Sequence, residues 1–127
     1  MTVERKKELA REIFARMFEQ MEPLRCKSEC HDVAVDQFED DLMLRDGLPT
    51  RILKPHWPYD LATTIVQEAR DDNEEGDWHR RMTSVHDYSD FLLDLRQRHE
   101  AAALEIYAVY QAAAREIIAA FEAEELV

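Results

Sequence analysis

"SDFLLDLRQRHEAAALEIYAVYQAAAREIIAAFEAEE", residues 89–125, decides the architecture of this chain. Its Ala-rich composition is that of a helix, and its small residues suggest close approach between helices. Trp78, Val85, Leu92, His99, Ile106, Ala113 and Ala120 repeat every seven residues, with Tyr88, Leu95, Ala102 and Val109 three places further on. Such a line is the seam along which a helix packs against a neighbour. Ser89 and Asp90 can cap a fresh start, so a break in the helix is possible there. A rod from residue 89 to residue 125 would measure about 55 Å, against roughly 20–30 Å for the other helices of the chain.

One short helix of the same chain cannot cover a seam of that length. Either two helices line it end to end, or a second copy of the chain lies beside it. Tyr107, Tyr110, Ile117, Ile118 and Phe121 put large apolar groups on several sides of the rod, which implies burial on more than one face. The expectation drawn from this is a homodimer with twofold symmetry. Its seam would comprise Leu92, Leu95, His99, Ile106, Val109, Tyr110 and Ile117.

Working back from the rod, "DDNEEGD" (71–77) reads as an exposed acidic turn. The helix before it starts around Pro58 to Asp60, with Leu61, Ala62, Ile65, Val66 and Ala69 on one side. "GLPTRILKPHWP" (47–58) holds three of the four prolines, which excludes a regular helix or a central strand. Leu48, Ile52, Leu53 and Trp57 within it need cover, so it reads as an ordered loop. A further helix over roughly residues 29–46 carries Val33 or Ala34, Phe38 and Leu42 on one face and stops at Gly47 and Pro49. The first helix opens with Thr2 as its cap, keeps Leu9, Ala10, Ile13, Met17 and Met21 at three- and four-residue steps, and ends near Pro23. The expected fold is an all-α bundle of about four helices with a long C-terminal helix, a single domain over residues 1–127.

The 127 residues carry 28 acidic against 16 basic side chains, a net charge of −12. Arg5, Lys6, Lys7, Arg11 and Arg16 are concentrated near the start, so the remainder is more acidic still. This surface repels phosphates and argues against direct nucleic-acid binding. The plain reading of the acidity is solubility. The functional reading is a face for a basic protein partner, with Asp36, Glu39, Asp40 and Asp41 at its centre, or a mimic of nucleic-acid phosphates. No apolar run approaches the roughly 18 residues that span a bilayer. "MTVERKKELAREIF" lacks the apolar core of an export signal, so a cytoplasmic location without membrane contact is expected.

"CKSECHD" (26–32) contains both cysteines. Three residues separate them where covalent haem attachment uses two, and in a reducing compartment they would stay as thiols or bind metal. Four-residue spacing would put Cys26 and Cys30 on one helical face, and with His31 they form a candidate zinc or iron set lacking a fourth ligand. The plainer reading is two small apolar groups at a helix junction, with Ser28 or Asp32 capping locally.

"DWHRRMTSVHDYSD" (77–90) offers a second constellation. On a continuous helix His79, His86 and Asp90 would share a narrow arc able to hold a divalent metal, or would form a solvated face. Arg81 followed five positions later by His86 resembles the arginine-x4-histidine nuclease motif of HEPN-type helical domains, at that one spacing and with Met82 where a polar residue is usual. The resemblance implies an RNA-cleaving domain in which His86 serves as acid or base and Arg81 stabilises a phosphorane. The acidic flank opposes RNA.

Two further positions carry paired readings. His99, on the apolar seam, is either a satisfied core residue or a pH-sensitive lock. His56 and Trp57, between Pro55 and Pro58, are either a partner-binding anchor or, for Trp57, a plug folded over the core. The leading functional expectation is a non-enzymatic cytoplasmic bundle acting through protein contacts, with no cofactor. The alternatives are a metal or redox protein holding zinc or iron, and the RNA-cleaving domain.

Overall fold

Thr2 opens the first helix by accepting a hydrogen bond from the Arg5 backbone N–H at 3.2 Å. The computed structural model describes residues 2–43, 53–75 and 85–125. They form four helices, α1 (Val3–Arg25), α2 (Glu29–Met43), α3 (Trp57–Glu75) and α4 (Val85–Glu125). No strand occurs among the described residues.

Three boundaries differ from those read in the sequence. Helix α1 continues through Pro23 to Arg25. A proline so near a helix end removes one donor from a ladder that is already finishing. Helix α3 extends through Asp71 to Glu75, where an exposed turn was expected. Asp71 and Asp72 are exposed, and Gln67 Nε2 donates to Asp71 Oδ1 one turn on, at 3.0 Å. Helix α4 passes Ser89 and Asp90 without a break, and both side chains are exposed. At 41 residues α4 is about 60 Å long.

The helices run up and down in turn, and α4 packs against each of the other three. Helix α1 lies antiparallel to it: Arg5 pairs with Glu124, Arg16 with Glu116, and Lys27, just past the end of α1, with Glu105. Helix α3 is also antiparallel but covers the other end. Trp57 stacks on Tyr107 with ring centroids 6.4 Å apart, and Val66 and Arg70 share a cleft with Ser89 and Leu92. Helix α2 packs on α4 as well, with Phe38 set 5.2 Å from Tyr110 between ring centroids.

Helices α3 and α1 thus line α4 end to end, the first of the two arrangements that the length of the seam allows. Ile106 and Ile117 are 0 % exposed with only the chain's own helices around them. Leu92, His99 and Tyr110 are buried too, and Leu95 and Val109 are half-buried. The stripe is long because two helices share it. Ala102, Ala103, Ala113 and Ala114 on α4 are all buried, as close helix approach requires. Phe38 sits at the centre of the core, its ring 6.4 Å from Phe18 and 6.1 Å from Trp57.

Candidate functional site

The junction between α1 and α2 is organised by Ser28 and Arg25. Ser28 caps α2 by accepting from the His31 backbone N–H at 3.2 Å, and its hydroxyl meets the same residue's Nδ1 at 2.7 Å. This turns His31 toward α4, where its Nε2 lies 3.3 Å from Glu105 Oε1 without hydrogen-bond alignment. Lys27 holds the other oxygen of Glu105 at 3.0 Å. The Lys27 hydrogen bond, with His31 second, keeps the Glu105 carboxyl below its ordinary range. Arg25 meets four carboxylates, Asp32 at 2.8 Å, Asp36 at 2.5 Å, Glu39 at 3.1 Å and Glu22 at 3.5 Å.

Beyond this junction α2, α3 and α4 enclose a groove of about 880 Å³. Val33 and Cys30 from α2, Ile65 from α3, and Leu95, Ala101 and Ala102 from α4 provide its apolar lining. Val33 is 42 % exposed there, although it is a large apolar residue. Glu29, Asp32 and Glu68 bring carboxylates to the same groove, against one cation, Arg98. Asp32 is engaged by Arg25, and Arg98 Nε lies 2.9 Å from Asp94.

His99 lines this groove from α4 and is 8 % exposed. Its Nδ1 is buried with no hydrogen-bond partner, so the satisfied-core reading does not hold. Burial, and then the charge of Arg98, push its pKa down from the ordinary 6.5, while Glu29 pulls the other way. The ring is therefore neutral at neutral pH.

The other expected site residues are placed as follows. Cys26 is the C-cap of α1 and exposed, whereas Cys30 is in the first turn of α2 and buried. The four-residue argument for a shared face needs one continuous helix, and the turn at Cys26 and Lys27 interrupts it. Among the described residues no group of three or more His, Cys, Asp or Glu side chains is arranged to hold a metal ion. Trp57 is 8 % exposed and donates from Nε1 to Asp41 Oδ2 at 2.6 Å, which makes it the plug and not the anchor. His56 is exposed and lies 3.2 Å from Asp60. The acidic face is largely occupied from within: Arg25 takes Asp36 and Glu39, while Gln37 and Trp57 donate to the two oxygens of Asp41. Asp40 is exposed. His79 and Arg81 lie outside the described residues, and His86 is placed by its backbone alone in the first turn of α4. The set His79, His86 and Asp90 and the Arg81 and His86 pair therefore fall outside the described residues.

Sequence reasoning missed the groove and the Arg25 hub. The hub had a signal: Asp32, Asp36 and Glu39 recur at steps of four and three, which is one face of α2. Among the described residues no helix is long and apolar enough to cross a membrane. No family model matches the chain, nor does any curated protein or solved structure.

Proposed function

We propose that this chain is a non-enzymatic helical bundle that acts through protein contacts and takes a basic partner segment in the groove between α2, α3 and α4. The observation that supports the reading is the make-up of that groove, an apolar lining with the carboxylates of Glu29 and Glu68 beside it. An amphipathic helix could lay apolar anchors against Val33, Ile65 and Leu95 and direct lysine or arginine toward those carboxylates. A volume of about 880 Å³ accommodates a few such anchors, within the usual range of binding pockets. The net charge of −12 would steer a cationic partner inward over distances set by ionic strength. The contact falls to Glu29 and Glu68 because Asp36, Glu39 and Asp41 already serve the chain's own donors. No cofactor enters this reading.

The test is a titration of the full chain with a synthetic amphipathic peptide of leucine and lysine, followed through backbone amide resonances. The expected result is saturable shifts concentrated at Val33, Ile65, Leu95 and Ala102, weakened by salt and lost in Leu95→Asp. A scrambled peptide of equal charge should produce little change. Equal effects from both peptides, spread over every acidic helix face, would remove the groove from the account.

A further inference from the structure

The groove contains a buried titratable side chain that nothing else in the fold uses. His99 sits between Leu95 and Ala102 with its Nδ1 shielded and unpartnered. A second proton on this ring would create either a buried N–H with no acceptor or a demand for one that the folded chain does not supply. It would also put a positive charge under the place where a partner's cation would rest.

The groups facing the ring can be taken helix by helix. From α2 come Glu29, His31 and Asp32, of which Asp32 is held by Arg25 and His31 is turned to Ser28 and Glu105. Helix α3 contributes Glu68, and α4 itself contributes Arg98. Glu29 is the acid that favours the protonated ring. It is also one of the two carboxylates that a bound lysine or arginine would occupy. Proton and partner therefore compete for the same negative field.

Resting on the groove reading above, we propose that His99 makes the grip proton-sensitive: the neutral ring permits capture of a basic segment, and protonation of the ring releases it. Linkage is reciprocal, so the bound cation must make the ring harder to protonate by the same factor. Burial and Arg98 already hold the ring below the ordinary histidine range, which sets the release below pH 6.5.

The experiment uses the full chain and the same leucine–lysine peptide, with affinity measured at about pH 7.5 and about pH 5.5. The expected outcome is binding at the higher pH and a measurable loss at the lower one, with about tenfold as the ceiling that a ring held below 6.5 allows. His99→Gln should bind at both without that step, and His31→Gln should keep it. A readout on the unaltered chain accompanies these variants: the His99 ring resonances, titrated with and without saturating peptide, should show a lower pKa in the complex. Binding with no pH step, a step that survives in His99→Gln, or a ring pKa indifferent to the peptide would overturn the proton release while leaving the groove intact. Failure of the peptide to bind at the higher pH would overturn both.

Discussion

The indole Nε1 of Trp57 donates to Asp41 Oδ2 at 2.6 Å and ties the first turn of α3 to the last turns of α2. The ring also packs edge-on against Phe38, 6.1 Å away, and stacks on Tyr107. A tryptophan so placed is a strut between three helices. Trp57→Ala should cost about 3–5 kcal/mol of folding stability in urea denaturation. Trp57→Phe keeps most of the packing but strands an acceptor, and should cost about 1–3 kcal/mol. A loss well under 1 kcal/mol for the alanine variant would contradict the buried position.

Ile106 lies where α4 is most completely covered. Ile106→Ala should destabilise the chain by about 2–5 kcal/mol. Because its neighbours belong to the same chain, the unfolding midpoint of either form should not move with protein concentration. A midpoint that climbs over a hundredfold range of concentration would return the stripe to an intermolecular role.

Arg25 holds carboxylates from two helices and is 22 % exposed at its side chain. Arg25→Met should cost about 1 kcal/mol, most of it at low ionic strength, where the carboxylates left behind repel one another. The penalty should shrink in high salt. If it were equal at both ionic strengths, the stem and not the charge would be what matters.

His99 predicts the sign of a pH effect on stability itself. Its folded-state pKa lies below the unfolded value of about 6.5, so the unfolded chain binds more protons in between. Stability should be complete above pH 6.5 and decline as pH falls from there toward the folded-state pKa. His99→Leu should remove that part of the slope, as seen by comparing denaturation midpoints across the interval.

The two cysteines should differ in reactivity. Cys26 is exposed and Cys30 buried, so iodoacetamide should modify Cys26 first, with Cys30 following only as the fold opens. Equal rates would mean that the start of α2 is not packed as described.

The helices were legible where the signal is local. Thr2 and the steps from Ala10 to Met21 announce α1, and the sevenfold recurrence announces α4. A stripe says that a surface is covered without saying by what. The choice between two end-to-end helices and a second copy depended on where α1 and α3 lie along α4. That in turn depends on connections whose geometry periodicity does not encode. The cysteine spacing misled for a related reason, since it presumed a helix that the turn at Cys26 interrupts. The groove draws on residues 28–33, 65–68 and 95–102, three segments that become neighbours only in the folded chain.

All three earlier helices rest on α4, and Arg5 finds its partner at Glu124, almost the whole length of the chain away. During synthesis α1, α2 and α3 therefore leave the ribosome before the surface that buries them exists. The nascent chain must carry the apolar faces of Met17, Phe38 and Leu61 incompletely covered until α4 emerges. A ribosome stalled before the α4 codons would therefore hold a species prone to chaperone capture.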